Sequence, residues 1–469
     1  MVQYWMEKFG NPHPYGAKAL GNYLLENNSS HDVRNLGLGR LALLSDENIL
    51  ELLSYLNGKD LAIMNKISRA MYVFSSHDVL WRNLVLSLSP ESLRFINNWK
   101  DSFVYLYCHK FSITNRIREH VPIKVSGIYS DAIHRAWYCC TFDFQGNCRS
   151  FYDHCDVPRI RTERLSIWRF VNDFEVPNKP VIICNIVNKW PAFKLWNEEY
   201  LTMHTSGKTF RATSTTAPMA ASFTIQDYFK YMSQCREEAP FYLFDREISQ
   251  VAQLRKDYSN PKYFSQNNGM ETIDGVAGPT TICTGTSIDI LSGDRHEGGE
   301  KHHATDLFRL FGEHRRPDYH WLILGPARSG SIFHIDPNQT NAWNACIRGR
   351  KKWIFYPPTN TPPGIMSTID NGDLIVPLST GEWLLSFWSF HLEQRNHPDP
   401  GKRPLECIVE PGELIFVPHN WWHMVINLDD SIALTYNYVS SSNLVDCLLF
   451  LSEKRDQISG LCSRLIAFM

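Results

Sequence analysis

Long uninterrupted apolar runs are missing from this chain. Nothing in it approaches the ~18 consecutive apolar residues of a membrane-spanning helix. The opening MVQYWMEKFGNPHPYG also lacks an apolar core of signal-peptide type. A soluble, intracellular protein is expected. Charge of one sign is lacking too: 47 basic and 49 acidic residues leave a formal charge of −2, so no global field favours nucleic acid or an anionic membrane. Cysteine is dilute, with 12 in 469 residues, which argues against a disulfide scaffold. Cys139, Cys140, Cys148 and Cys155 gather loosely beside His154 but lack the paired spacing of structural zinc, so they read as reduced thiols. Internal repeats and coiled-coil heptads are absent.

What is present is material for a core. Hydrophobic residues make up 43% and aromatic residues 13%, and the length exceeds the ~250–300 residues at which one core stops growing. One large domain with a smaller companion follows. Residues 1–40 are polar and aperiodic, a poorly ordered lead-in. Residues 41–86 carry Leu44, Ile49, Leu50, Leu53 and Leu56, and later Trp81 and Leu84, at helical spacing, which predicts a small all-α module. Ser45 offers a helix start, Asn57-Gly58 a stop, and Asp60 a cap for the next helix. Residues 87–159 read as a connecting region.

From about residue 160 the texture becomes β-rich. VPNKPVIICNIV predicts a strand, FTIQDYFKYMSQ a helix and FYLFD a short buried strand. Residues 267–304 are polar and Gly-rich, a long surface insert whose His296, His302 and His303 read as solvated. Residues 444–469 carry a helical apolar stripe expected to pack on the main domain.

The chemistry concentrates in two blocks. HWLILGPARSGSIFHIDPNQTNAWNACIRGRKKWIFYPP holds His334-x-Asp336, two residues that share a strand face, with a hairpin expected near Arg348-Gly349. PGELIFVPHNWWHMVINLDDSIALTYNYV brings His423, which meets the first pair only if the sheet closes on itself, as in a double-stranded β-helix. Two imidazoles and one carboxylate form the facial triad of non-haem iron oxygenases; zinc is the physical rival. Alternation in Lys351-Lys352-Trp353-Ile354-Phe355 places Lys351 on the face of Trp353 and Phe355, and Lys352 on the other. Spacing alone leaves open that both lysines are solvated.

These blocks, with NKPVIICNIV, FYLFD and DLFRL, resemble the JmjC oxygenases from Asn178 to Asn443. Within them they resemble the branch of protein hydroxylases first described under the name phosphatidylserine receptor and also reported as arginine demethylases. The resemblance implies a mainly β cupin or jelly-roll barrel over residues 160–443. It implies Fe(II) held by His334, Asp336 and His423, with 2-oxoglutarate and O2 as cosubstrates. It puts Lys351 on the C5 carboxylate of oxoglutarate, with Tyr242, Ser331, Asn344 and Thr435 as polar contacts. The substrate implied is a protein, histones among the candidates, the chemistry is either hydroxylation or N-methyl removal, and the nucleus is expected ahead of the cytoplasm.

The segment LLSDENILELLSYLNGKDLAIMNKISRAMYVFSSHDVLWRNL resembles an F-box, departing from that family at Ser45, where Pro is usual. That resemblance implies a Skp-type adaptor as partner; the alternative is a helical bundle that packs on the next domain. A non-catalytic recognition scaffold of a ubiquitin ligase is the alternative function.

Overall fold

The structure, a computed structural model, describes residues 12–26, 32–88, 91–110, 121–246, 251–264, 306–311, 316–367 and 374–460. The Gly-rich insert, with His296, His302 and His303, lies outside the described residues.

The amino-terminal part is helical for local reasons. Ser45 caps the helix Asp46–Ser54 by accepting from the Asn48 amide, a contact that contributes about 1 kcal/mol. Asn57, not Asp60, caps Gly58–Met64: its side chain accepts from the Lys59 and Asp60 amides. Asp60 sits inside the first turn, where the helix dipole favours an anion. Ser68 caps Arg69–Ser75, and Asp78–Ser87 buries Trp81, whose indole N–H donates to the Ser75 carbonyl at 2.9 Å.

Two expectations are corrected here. Part of the lead-in is packed rather than loose: Tyr15 and Ala17 are buried, and Lys18 forms a parallel bridge with Tyr129. Gly16 between them has φ +81°, and a Cβ there would lie 2.4 Å from the Val125 carbonyl oxygen. The close approach of two backbones, invisible to periodicity, is what orders the segment. Nor is 41–86 a separate globule. The connecting region supplies the helices Trp99–Lys110 and Asp131–Thr141, and Phe95 and Trp99 lie 5.2 and 6.2 Å from Tyr231 of the β-rich part. One buried cluster runs from Tyr15 to Tyr438.

The β-rich part is built from β1 (Arg159–Arg161), β2 (Val181–Cys184), β3 (Phe210–Thr213), β4 (Ala221–Phe223), β5 (Tyr242–Asp245), β6 (His320–Gly325), β7 (Gly330–His334) and β8 (Asn341–Arg348). It continues with β9 (Lys351–Tyr356), the short pair β10 (Met366–Ser367) and β11 (Leu374–Ile375), then β12 (Leu405–Val409), β13 (Leu414–Val417), β14 (Trp422–Asn427) and β15 (Ser431–Tyr438). A nine-stranded sheet has the order β1-β2-β13-β8-β15-β6-β5-β3-β4, and a four-stranded sheet faces it in the order β12-β9-β14-β7. The turn at Arg348-Gly349 is therefore not a hairpin: β8 pairs with β13 and β15, while β9 pairs with β12 and β14. The links β6–β7, β12–β13 and β14–β15 cross between sheets in the same way. This is a double-stranded β-helix.

Alternation sorts the side chains. Trp353, Phe355 and Val425 of the small sheet meet Ala342, Cys346, Ile415 and Val417 of the large one inside the barrel. Ile354, Tyr356, Met424 and Ile426 face outward and are covered by Trp383 and Trp388 of the helix Thr380–Gln394.

Lys352 faces outward, as alternation requires, yet it is not solvated. It is fully buried, 2.7 Å from Glu406, and Glu406 also takes His391 at 2.8 Å and Arg395. The carboxy-terminal helix is Leu444–Glu453, shorter than the 444–469 expected, and residues 461–469 lie outside the described ones. It packs through Cys447 and Leu451 against Phe308 and Val439, leaving Val445, Leu448 and Leu449 exposed. Asp446 pairs with His419 at 3.0 Å, a contact consistent with this rotation. Among the described residues, no helix is long and apolar enough to cross a membrane.

Burial alone would raise the Glu406 carboxyl, but His391, Lys352 and Arg395 outweigh it and hold it at about 2 against an ordinary 4.5. A depressed carboxyl stabilises the fold above its unfolded pKa and loses that contribution as pH falls through the folded one. Urea unfolding from pH 6 downward should show stability falling between about pH 4.5 and 2, with a shallower fall in Glu406→Gln. Lys352→Ala, which leaves this buried carboxylate short of a partner, should cost about 3 kcal/mol at neutral pH.

Candidate metal and anion site

His334 ends β7, and Asp336 follows on extended backbone at φ −59°, ψ 142°. His423, on β14, stands opposite His334 in the ladder. The ring centroids of the two histidines are 4.2 Å apart, and His423 Nε2 lies 3.9 Å from Asp336 Oδ1. Ligand atoms of all three residues lie within 4.8 Å of one another, the one such group of His, Cys and carboxylate side chains among the described residues. The Cys139, Cys140, Cys148, Cys155 and His154 cluster forms no such group; these cysteines are free thiols, and only Cys155 is exposed.

Backbone carbonyls fix both rings. His334 Nδ1 lies 2.8 Å from the Ile332 carbonyl and His423 Nδ1 3.1 Å from that of Trp421. A carbonyl only accepts, so each Nδ1 donates and each Nε2 is the nitrogen left to face the centre. Burial, then the His334 charge, holds the His423 imidazole well below its ordinary range, hence neutral. Burial raises the Asp336 carboxyl, opposed by His334 and Asn437, and its Oδ2 is buried without a hydrogen-bond partner. Two imidazole nitrogens and a carboxylate oxygen thus converge on one point, a donor set that a metal cation completes.

The loop before β14 is clamped. His419 Nδ1 meets Asn341 Oδ1 at 3.2 Å and Nε2 meets Asp446, while Trp421 donates its indole N–H to the Asn178 carbonyl at 2.8 Å. The register shift between His423 and Val425 does further work. Ser331 and His334 are three residues apart, so plain alternation would put them on opposite faces; the bulge puts both on the wall of one cavity.

Lys351 points into the barrel and is fully buried. Its ammonium donates to Tyr242 Oη at 3.2 Å, Asn427 Oδ1 at 2.7 Å and Ser431 Oγ at 3.1 Å. All three are neutral, and among the described residues no carboxylate pairs with it. Its charge is hydrogen-bonded but uncancelled, which suits an incoming anion. Asn344 and Thr435 face one another across β8 and β15; Thr435 Oγ1 donates to the Trp343 carbonyl at 3.0 Å, and Asn344 Oδ1 is buried without a partner. A cavity of about 360 Å³ opens beside Tyr242, Ser331 and His334, and Arg211 and Arg328 also line it.

Sequence reasoning placed Lys351 without its other acceptors. Asn427 is four residues after His423 on one strand, and Ser431 four before Thr435 on another, so even spacing from a residue already turned inward was the available signal.

A family model described as "Cupin-like domain" matches residues 168–443. An "Arginine-specific demethylase JMJ22" of Arabidopsis thaliana is 35% identical over 453 residues, covering 96% of this chain and 78% of that protein. A "Bifunctional arginine demethylase and lysyl-hydroxylase psr-1" of Caenorhabditis elegans is 29% identical over 318 residues, 66% of this chain and 67% of the relative. A "2-oxoglutarate and iron-dependent oxygenase JMJD4" of Homo sapiens is 35% identical over 137 residues, 29% of this chain and 31% of the relative. With every strand but β1 and the whole His334, Asp336 and His423 group inside the matched span, the chain belongs to the Cupin-like domain family.

Proposed function

We propose that this protein is an Fe(II)- and 2-oxoglutarate-dependent dioxygenase that hydroxylates a polypeptide or removes N-methyl groups from it, histones being candidate substrates. One observation carries the reading: a converging group of two imidazoles and a carboxylate shares a barrel with a buried, uncancelled ammonium. In this reading His334, Asp336 and His423 hold the iron, and the lone pairs at their centre fit it. Iron with its cosubstrates supplies the oxidation, in which oxoglutarate loses carbon dioxide to give succinate while an oxygen atom enters a substrate C–H bond.

The chain's own residues hold and orient. The Ile332 and Trp421 carbonyls keep the two imidazoles in the tautomer that presents Nε2. Lys351 takes the C5 carboxylate, Tyr242 being already on its ammonium, and Asn344, Thr435 and Ser331 serve as further polar contacts. Trp353, Phe355 and Val425 keep the interior apolar and exclude water. Hydroxylase and demethylase differ only in the carbon presented, because an N-hydroxymethyl product sheds formaldehyde. The names of the relatives favour both outcomes. Histone substrates would require a nuclear address.

A second reading concerns adaptor binding by residues 41–86. Leu43, Leu52, Tyr55, Ile63 and Ile67 stand exposed on this region, which suits a Skp-type adaptor and, through it, a role as ubiquitin-ligase receptor. It is compatible with catalysis.

Purified protein should convert oxoglutarate to succinate only with Fe(II), and mass spectrometry of histone peptides should show gains of one oxygen or losses of methyl. Full turnover by His334→Ala or Asp336→Ala would remove the iron assignment. Lys351→Ala removes a charge-assisted contact of about 1.5–3 kcal/mol, so the oxoglutarate KM should rise roughly 10- to over 100-fold with iron content retained. An unchanged KM would put Lys351 outside the pocket. Leu52→Asp combined with Ile63→Asp should abolish co-purification with a Skp-type adaptor without lowering the thermal midpoint; persistent binding would sink the adaptor reading.

A further inference from the structure

A second cavity, of about 600 Å³, lies outside the barrel and holds none of the residues assigned above to iron or oxoglutarate. Its walls come from three parts of the chain: His13 and Tyr15 of the amino-terminal segment, His77, Asp78 and Asn83 around the start of the helix Asp78–Ser87, and Ala132 and Trp137 of the helix Asp131–Thr141. Thr215, Glu238 and Leu378 line both this chamber and the cavity beside His334. The two spaces thus abut across that saddle, where the Thr215 hydroxyl donates to the Leu378 carbonyl.

The chamber's charges do not all cancel. Arg82 pairs with Glu237 at 3.1 Å, and Arg135 pairs with Glu238 at 2.8 Å and Glu382 at 3.4 Å. Arg236 is exposed. Asp78 is left without an ion pair or side-chain hydrogen bond among the described residues. Burial, then Glu237, pushes its carboxyl up to about 7, and the Arg82 charge opposes this without outweighing it. Asn83 Oδ1 is also buried without a partner. Burial holds His13 at about 3 and His77 at about 4, so both are neutral and add no positive charge; the His13 Nδ1 lone pair is taken by the Tyr15 amide at 3.2 Å, while His77 keeps one acceptor nitrogen. Tyr15 and Trp137 supply aromatic walls, with the His13 ring 5.8 Å from Trp137.

Unused acceptors, one uncompensated carboxylate and aromatic faces make a site for a cation with several N–H donors. We propose that this outer chamber binds an arginine or lysine side chain of the polypeptide substrate, at a position flanking the residue presented to His334. The proposal rests on the reading of the substrate as a polypeptide. The amino-terminal helices are then part of the substrate-recognition surface as well as a support for the barrel.

The test is fluorescence anisotropy with two short synthetic peptides on a Gly-Ser background, one bearing arginines and the other citrulline at the same positions. The wild-type protein should bind the arginine peptide about tenfold more tightly or better. Asp78→Asn should bring the ratio close to unity while keeping or raising the thermal midpoint, since it removes a desolvated charge without a partner. Ala132→Phe, which fills the chamber from another wall, should do the same. A wild-type ratio near unity, or discrimination undiminished in Asp78→Asn, overturns the proposal. Oxoglutarate turnover of the wild type, measured in parallel, speaks to the oxygenase reading alone, so the two failures are distinguishable.

Discussion

Closure of the barrel is the constraint on which everything else depends. Because successive strands pass from one sheet to the other, neighbours within a sheet come from distant sequence, and β14 can lie between β7 and β9. His423 reaches His334 and Asp336 only through that arrangement. The same closure gives the barrel two inner walls, so Lys351 on the small sheet can meet Tyr242 and Ser431 on the large one. Metal-binding geometry and anion-binding geometry are two outcomes of one topology.

Closure also explains why polar and charged groups persist in a dry interior. An imidazole tied by Nδ1 to a carbonyl two residues back is oriented by its own strand and needs no other side chain to aim it. The Lys351 ammonium is satisfied by neutral acceptors, which keep it in place at modest cost yet leave its charge available. The outer network is the contrast: Lys352, His391 and Arg395 converge on the one carboxylate of Glu406, and Lys352 is thereby committed to a partner within the protein. Adjacent lysines on one strand therefore have opposite duties, one receptive and one structural, decided by which face of the sheet each occupies.

Much of this was legible in the sequence. Alternation placed Lys351 inward, His-x-Asp with a distant His indicated a closed sheet, and Ser45 marked a helix start. What escaped was set by contacts between separated segments. The turn at Arg348-Gly349 reads as a hairpin because local chemistry cannot say which sheet a strand will join. The burial of Lys352 depends on Glu406 and on a helix inserted between β9 and β12. Tyr15 and Ala17 order the lead-in by reaching Val125 and Tyr129, and Ser331 faces the cavity only because a bulge re-phases β7. The last helix buries Cys447 and Leu451 against Phe308 and Val439, a partner surface that its own apolar stripe does not reveal.

The two neighbouring lysines also proofread the strand that bears them. If β9 slid by a single position, the receptive ammonium would be thrust among groups already paired with another cation, and the structural one would enter a chamber with no carboxylate to meet it. Both faces would then carry misplaced charge at once. An error of one residue is thus penalised twice, and correct threading of β9 is enforced by electrostatics as well as by the fit of its aromatic rings.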